Sequence, residues 1–274
     1  MVTGIRVYRW RNGADEHELR LVPVPGPSGE PYGFGAGTQR RPIEIRDFHI
    51  GATAVTHALW RHVMREGNAP VRPRHPRDDV SWHDITRPGG FLDRINASGI
   101  LSAVAGTDTR LAFRLPSETE WEYAARGGPR WHDDFRFSGS NDPDAVAWYG
   151  ARWSGGRLKW EILKHLKAWR LWDAQRQGVE PTRTHEVAAK APNQLGLYDM
   201  SGNVWEWCQD TCVELDDVPT DGTPATRPGE EKRLRGGCHH NWDIHCTEWW
   251  RYGITPDAHD GCIGFRVVLG RALA

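Results

Sequence analysis

The sequence has no long hydrophobic run and no excess of charge of one sign. Its 274 residues carry 35 lysines and arginines against 36 aspartates and glutamates, for a formal net charge of -1. A balanced charge provides no general attraction to nucleic acid or to an anionic membrane. No segment approaches the length of a membrane-spanning helix. We therefore expect neither a nucleic-acid partner nor insertion into a membrane.

The sequence also lacks an even set of cysteines and an amino-terminal targeting segment. The five cysteines argue against a complete disulfide framework, because one thiol would be left over. Residues 1–20 contain no apolar core of the kind found in secretory signal peptides. We expect synthesis in the cytosol with mostly reduced thiols. The final location stays open, with a virion or a cell surface among the candidates.

Glycine, proline and tryptophan, by contrast, are abundant. The 30 glycines and 18 prolines are spread along the chain and predict a loop-rich fold with little regular structure. Some of the 15 tryptophans must lie in a hydrophobic core, because burying one indole removes a large apolar area from water. The length fits a single domain over residues 1–274.

Two segments near the amino terminus predict strands. Residues 19–24 and 43–48 are short apolar runs, and the glycine- and proline-rich stretch 25–38 separates them. Pro23 has no backbone N–H to donate, so we expect the first of these strands to lie at the edge of its sheet.

Three segments predict helices. Helical spacing of apolar residues indicates a helix over 56–65, and Ser81 begins a second helix that runs to about residue 96 with an interruption at Pro88. The third is the best specified. Ser117 caps it, Glu120 completes a capping box, and the helix stops near residue 127.

A further helix is predicted over residues 157–177. Leu158, Ile162, Leu166 and Trp169 follow the 3.6-residue period on one face, and basic residues cover the other. A charged helical face is more often solvated than bound to nucleic acid. We expect the apolar stripe to pack on the body of the protein, since an unburied tryptophan-rich stripe promotes aggregation. A docking helix for a partner is the alternative.

Three long motifs occur in one order along the chain. They are RLPSETEWEYAARGG at 114–128, NQLGLYDMSGNVWEWCQD at 193–210, and RLRGG with GFRVV within 233–268. Together they resemble the formylglycine-generating-enzyme (sulfatase-modifying factor) family, over roughly residues 20–270. The resemblance implies an α+β fold: an irregular C-type lectin fold of the formylglycine-generating-enzyme type, with short antiparallel strands, two main helices and, in this chain, an inserted helix at 157–182.

The resemblance also implies where a catalytic copper would bind. The oxidases of the family hold copper through two cysteines five residues apart, and thiolates suit that soft metal. Counted from Gly237, those positions are Asn241 and Cys246 here. An amide cannot replace a thiolate as a Cu(I) ligand, so we expect a protein that is not an enzyme. A copper oxidase, or a related metal-dependent enzyme of sulfur chemistry, is the alternative.

A zinc site is a second metal hypothesis. Suitable ligand types cluster in the carboxyl-terminal part of the chain, although their spacing matches no usual zinc pattern and adjacent side chains converge poorly. The residues concerned are Cys238, His239, His240, His245 and Cys246.

The carboxyl-terminal segment also resembles the variable proteins of diversity-generating retroelements, which share the lectin-like fold. The frame residues Cys246, Arg251, Pro256-Asp257 and 263–266 match, whereas the residues between them follow no structural period. Randomising the adenines of an asparagine codon gives many of the residue types found in this segment. Those positions are His240, Asn241, Asp243, Ile244, His245, Tyr252, Gly253, Ile254, Thr255, Ala258, Asp260, Gly261 and Cys262. Such a codon cannot give tryptophan or glutamate, so Glu248, Trp249 and Trp250 must come from other codons that contain adenine.

We therefore predict a variable region at 238–262 that binds a ligand, most plainly a protein, with no required cofactor. A rigid frame with large, chemically mixed side chains is what a binding surface needs. An ordinary family member with an inactive site is the alternative. The predicted contact residues are His239, His240, Asn241, Trp242, Ile244, His245, Glu248, Trp249, Trp250, Tyr252, Ile254, Thr255, His259 and Asp260.

A structural calcium site is implied by the same family resemblance. The carboxylates of Asp199 and Glu206 and the carbonyl groups of Gly202 and Val204 would be its ligands, and oxygen atoms are what this hard cation prefers. The alternative is that these residues only brace a turn.

Four further residues are expected to be structural. Arg235 and Arg266 should be buried guanidinium groups bonded to carbonyl and carboxylate oxygens. Trp205 and Trp207 should belong to the hydrophobic core.

Overall fold

The computed structural model describes residues 4–67, 72–150, 183–227 and 230–271. The predicted helix at 157–182 lies outside the described residues. In chain order the strands are β1 (Arg6–Asn12), β2 (Asp15–Val24), β3 (Tyr32–Phe34), β4 (Arg41–Ile43), β5 (Phe48–Gly51), β6 (Leu111–Arg114), β7 (Trp205–Thr211), β8 (Lys232–Arg235), β9 (Tyr252–Ile254), β10 (Ile263–Phe265) and β11 (Val268–Arg271).

The helices are short, as the many glycines and prolines predicted. The longest in the described ranges, α1 and α5, have 8 residues each. None of the helices in these ranges combines the length and the apolar character needed to cross a bilayer. The helices are α1 (His57–Met64), α2 (Trp82–Thr86), α3 (Phe91–Asn96), α4 (Gly99–Ala105), α5 (Glu118–Ala125) and α6 (Pro143–Val146).

The larger sheet joins both ends of the chain. Its strand order is β1-β2-β5-β11-β6, with antiparallel pairs throughout. The prediction that Pro23 places its strand at an edge is wrong, because β2 lies between β1 and β5. The register explains how proline is tolerated: the pairing of β1 with β2 ends at Leu21, so only β5 opposes Pro23.

A second sheet, of four strands, carries the carboxyl-terminal segment, and β3 and β4 pair in a separate two-stranded sheet. The order of the four-stranded sheet is β10-β7-β8-β9, with β10 parallel to β7 and the other pairs antiparallel. Strand β9 is the edge strand of this sheet and lies within the predicted variable region. The predicted strand at 43–48 is also corrected. Strand β4 ends at Ile43, and β5 begins only at Phe48.

The predicted helix starts are confirmed. Thr56 caps α1, and Ser81 and Ser117 form capping boxes with Asp84 and Glu120. The predicted helix from 81 to 96 is two helices, α2 and α3. The break falls at the expected proline and glycines, because proline cannot continue the hydrogen-bond pattern of a helix.

Two large hydrophobic clusters fill the interior, and a small third one contains Phe137, Val146, Ala147 and Cys246. The first contains Trp60, Phe91 and Phe265 with the predicted core residues Trp205 and Trp207, and the second surrounds the fully buried α5. Trp207 is 0% exposed and donates its indole N–H to the carbonyl oxygen of Val80 at 2.9 Å. Both tryptophan predictions are therefore confirmed.

Candidate binding surface

A buried network of charges supports the base of the carboxyl-terminal segment. Arg235, fully buried at the end of β8, donates to Glu118 Oε1 at 2.8 Å and to Glu122 Oε2 at 2.5 Å. Arg251 donates to both oxygens of Glu118 at 2.8 Å, and Arg233 lies 3.1 Å from the same carboxylate. The α5 carboxylates thus fix the strand before the variable region and the residue before β9.

The same network decides the charge of its carboxylates. Burial alone would raise the pKa of Glu118, but Arg233, Arg251 and Arg235 together hold that pKa well below its ordinary value. Burial opposes ionisation of Glu122 as well, and Arg235 and Arg126 lower its pKa. Both carboxylates are therefore ionised in the folded protein, paired with guanidinium groups in an interior from which water is excluded.

Arg266 braces the other end of the segment, as predicted. Its guanidinium donates to the carbonyl oxygens of Gly51 and Tyr198 at 2.7 and 2.8 Å and forms an ion pair with Glu206. Trp121 Nε1 donates to the same carboxylate at 2.7 Å. Glu206 is thereby engaged on both oxygens, and its role as a calcium ligand stays a prediction.

The other predicted calcium ligands lie at the turn before β7. Asp199 is buried, and its Oδ2 accepts the N–H of Ala188 at 2.9 Å, whereas its Oδ1 has no hydrogen-bond partner among the described residues. Burial raises the pKa of Asp199 to about 6. The carbonyl oxygen of Gly202 accepts the N–H of Val204 at 3.0 Å. Calcium here stays a prediction, and the unpartnered oxygen of Asp199 is the observation that favours it.

Glycines direct the chain into the variable region. Gly236 and Gly237 both have positive φ, at 95° and 72°, a conformation that other residues rarely adopt. A Cβ on Gly237 would lie 2.7 Å from Cys246 Sγ. The chain then forms a short 3-10 helix, Asp243–Cys246, before it enters the edge strand β9. Local backbone demands therefore explain the glycines of the RGG motif.

The middle residue of β9 faces a neighbouring loop at very short range. A Cβ on Gly253 would lie 2.1 Å from Cys212 Sγ. Because of this contact, Gly253 has no room for a side chain, although its residue type is one that an adenine-randomised codon can encode.

Most of the predicted contact residues reach the surface. We call these twelve positions the variable face. They are His240, Asn241, Trp242, Ile244, His245, Trp249, Trp250, Tyr252, Ile254, Thr255, His259 and Asp260, of which Thr255 and His259 are well exposed and the others half-buried.

Two predicted contact residues are corrected because they lie in the interior. The backbone N–H of His239 and its Nδ1 both reach the carbonyl oxygen of Asn203, at 3.1 and 2.8 Å. Glu248 is 1% exposed, and its Oε1 lies 3.4 Å from Arg126 Nη1 without forming a hydrogen bond. Burial raises the pKa of Glu248 to about 8, although Arg126 opposes this shift. Neither side chain is available to a ligand.

An aromatic cluster lies at the centre of the variable face. The ring of His245 stacks on Trp242 at 6.2 Å and meets the edge of Trp250 at 4.6 Å between centroids. Burial lowers the pKa of His245 to about 4, so the ring is neutral near pH 7. Trp250 and Tyr252 also pack on the first core cluster, and Tyr252 lies 5.3 Å from Trp205. Both rings are therefore only partly exposed.

The two positions aligned with the copper cysteines do not form a thiol pair. Asn241 Oδ1 accepts the backbone N–H of Cys238 at 3.0 Å, so its amide braces the local turn. Cys246 is fully buried beneath that turn. Burial raises the pKa of its thiol well above the ordinary value.

A different set of metal-ligand types is brought together in the interior. One ligand atom each from Cys238, His239 and Cys262 lie within 4.8 Å of one another. The set contains neither His245 nor Cys246, which the zinc hypothesis had included. Sequence spacing gave no indication of this grouping, because the fold brings Cys262 from the far end of the variable region.

Comparison with known proteins shows a family match over nearly the whole chain. Residues 20–271 match the family of the sulfatase-modifying factor enzyme 1-like domain. The chain is 30% identical over 223 residues to the formylglycine-generating enzyme of Streptomyces coelicolor, covering 77% of this chain and 58% of that protein. It is 29% identical over 194 residues to the chaperone protein LppX of Paenibacillus barcinonensis, covering 61% of this chain and 63% of that protein. The chain thus spans about three fifths of the length of these relatives.

A solved structure shares the fold over nearly all of both chains. Treponema denticola variable protein 1 superposes with a TM-score of 0.66 at 23% sequence identity, covering 96% of this chain and 98% of that chain. The predicted irregular C-type lectin fold of the formylglycine-generating-enzyme type is confirmed. The resemblance to formylglycine-generating enzymes that the motifs indicated is also found, and the likeness to the variable protein is one of fold.

Proposed function

The chain belongs to the sulfatase-modifying factor enzyme 1-like family, and we propose that it is a ligand-binding member of this family that catalyses no reaction. Its binding site is the variable face, diversified by a retroelement. The observation that carries the proposal is the separation between a buried, ion-paired frame and this half-exposed surface. Arg235, Arg251 and Arg266 hold the frame from inside, so the variable face can change without removing their contacts.

The chemistry of the variable face suits a protein ligand. Aromatic rings at Trp242, Trp249 and Trp250 offer large contact areas with few rotatable bonds. Polar side chains such as His240 and Thr255 adjust hydrogen bonding around them. The backbone is already ordered by the frame, so binding loses little conformational entropy.

The second candidate function is copper-dependent oxidation of a sulfatase cysteine to formylglycine. It is favoured by the relatives that carry the name formylglycine-generating enzyme. Against it, position 241 holds an asparagine whose side chain is bonded to the backbone of Cys238. At the two positions aligned with the copper ligands, the buried thiol of Cys246 supplies only one of the two thiolates that Cu(I) prefers.

An assay separates these two functions. The reduced chain is incubated with Cu(I), oxygen and a cysteine-containing sulfatase peptide, and the peptide is analysed by mass spectrometry. We expect unmodified peptide, alongside conversion by a formylglycine-generating enzyme assayed in parallel. Formation of formylglycine that disappears in Cys246→Ala would overturn the binding-only proposal.

The diversification itself is tested in the genome. A reverse transcriptase gene should lie near the coding sequence, together with a near-repeat of the segment that encodes residues 235–266. The two copies should differ only where the template has adenine. Differences spread evenly over all four bases, or no second copy at all, would remove the retroelement from the proposal.

A further inference from the structure

Two buried thiols face each other where the variable region begins and ends. Cys238 Sγ and Cys262 Sγ lie 2.7 Å apart, and the two residues are 1% and 3% exposed. His239, also buried, brings a ring nitrogen into the same group, with all three ligand atoms within 4.8 Å of one another. The proposed binding function uses none of these three side chains.

Backbone contacts to one short segment hold the group in place. The N–H of His239 donates to the carbonyl oxygen of Asn203 at 3.1 Å, and the N–H of Trp205 donates to that of Cys262 at 2.7 Å. The entry and exit of the variable region are therefore both tied to the start of β7. The three side chains meet because of these contacts, which involve residues distant in sequence.

Side chains next to the group restrain it further. Asn241 Oδ1 accepts the N–H of Cys238 at 3.0 Å, and Asp260 Oδ1 accepts the N–H of Cys262 at 2.8 Å. Each cysteine is thus held by a polar side chain two or three residues away. The positions of the thiols are set before any ion arrives, which reduces the entropy lost on binding.

We propose that Cys238, Cys262 and His239 bind a zinc ion. Two thiolates and an imidazole are a donor set that suits Zn²⁺. The Nδ1 of His239 lies 2.8 Å from the carbonyl oxygen of Asn203, and this contact selects the tautomer in which Nε2 carries the lone pair. Binding exchanges the two thiol protons for the metal and releases both protons to solvent. The sulfurs move apart by about 1 Å, toward the separation of about 3.8 Å in a tetrahedral site.

Such an ion cross-links the two ends of the variable region from beneath. Residues 239–261 then form a loop closed by the metal, in addition to the ion pairs of Arg235 and Arg266. The zinc ion supports the backbone of the variable face without touching the ligand.

The test uses the full chain, reduced and freed of metal. Titration with Co²⁺ should give one equivalent of thiolate-to-cobalt charge-transfer absorption, and added Zn²⁺ should remove it. Zn²⁺ should also raise the Tm. We expect both signals to be lost in Cys238→Ser and Cys262→Ser, and binding to weaken more than about tenfold in His239→Gln. Cys212→Ser is the matched control, because this half-buried cysteine lies outside the group.

Cysteine labelling keeps the test decisive if a variant fails to fold. In the unmodified chain, Zn²⁺ should slow alkylation of Cys238 and Cys262 and leave that of Cys212 unchanged. The proposal is overturned if Co²⁺ gives no thiolate absorption, if the absorption persists in Cys262→Ser, or if reduced preparations hold a Cys238–Cys262 disulfide instead of metal. None of these outcomes bears on the copper assay or the genomic test, so the two proposals fail independently.

Discussion

Arg235 and Trp242 lie in the same stretch of chain but in opposite surroundings. The guanidinium of Arg235 is fully buried and bonded to two carboxylates of α5, whereas the indole of Trp242 is half-exposed on the variable face. The first side chain is held by buried ion pairs, and the second stacks with the ring of His245. The difference indicates that buried residues of this segment stabilise the fold, while other residues of the same segment remain accessible to a ligand.

The largest effect is expected when the buried guanidinium of Arg235 is removed from the network that supports the segment. Arg235→Met leaves Glu118 and Glu122 buried with fewer counter-charges, so we expect the free energy of unfolding to fall by about 3–5 kcal/mol. Urea unfolding followed by circular dichroism measures the loss. Arg130→Met is the control, since its pair with Asp133 is largely exposed and should contribute less than about 1 kcal/mol. Equal losses in both variants would contradict the special role of the buried network.

Tryptophans on the two sides provide a second contrast. Trp205→Ala removes a core ring and should lower the free energy of unfolding by about 3–5 kcal/mol. Trp249→Ala should change it by no more than about 0.5 kcal/mol, because surface positions are usually tolerant. Trp250→Ala should fall between them, since this ring packs partly on the core. Urea unfolding measures the three values, and any other order of losses would contradict the prediction.

The pH dependence of stability sharpens the comparison within the interior. The pKa values of Glu118 and Glu122 are lowered, so their stabilisation is present above the ordinary glutamate pKa and is lost as the pH falls. The pKa of Glu248 is raised to about 8, so the folded protein favours the protonated side chain. The stability that this preference provides is lost as the pH rises from about 4.5 through 8. Glu248→Gln should therefore be more stable than the unmodified chain by about 2 kcal/mol or more near pH 9, because each unit of the shift corresponds to about 1.4 kcal/mol.

The control for that experiment is an exposed glutamate. Glu186→Gln removes one partner of a surface ion pair with Arg74, which should contribute less than about 1 kcal/mol to stability. Near pH 4, the Glu248→Gln variant and the unmodified chain should have about the same stability. A gain in Glu248→Gln that is equal at both pH values would point to packing rather than to ionisation.

Calcium gives the smallest expected effect. Asp199 is a buried carboxylate with one oxygen that lacks a hydrogen bond among the described residues, and we propose that Ca²⁺ binds it with the carbonyl groups of the same turn. Added Ca²⁺ should raise the Tm by about 2–4 °C. Asp199→Ala should abolish the response, and Mg²⁺ should not replace Ca²⁺. An unchanged Tm in the unmodified chain would assign these residues to the turn alone.

Features that depend on nearby residues could be predicted from the sequence. The capping boxes at Ser81 and Ser117 follow from side chains three residues apart. The burial of Arg235, Arg266 and Trp207 followed from motifs whose pattern implies a shared fold. In each case the local pattern and the final structure agree.

Features that depend on distant partners could not be predicted. Glu248 is buried beside Arg126, which follows α5 at a distant point of the chain. His239 is buried because Asn203 accepts its hydrogen bonds. Cys262 looked like one more product of a randomised codon until the fold placed it against Cys238. Whether a variable position is exposed depends on which residues from distant parts of the chain pack against it. A local sequence pattern does not contain that information.

Gly253 shows what this means for the evolution of the surface. Any side chain at this position would place its Cβ 2.1 Å from Cys212 Sγ, so a replacement must displace that sulfur or the edge strand β9. If its codon is randomised, most of the resulting proteins carry a steric penalty before they meet any ligand. The usable repertoire is then smaller than the number of codon combinations. A survey of sequenced variants should find glycine over-represented at 253, or a compensating change at 212.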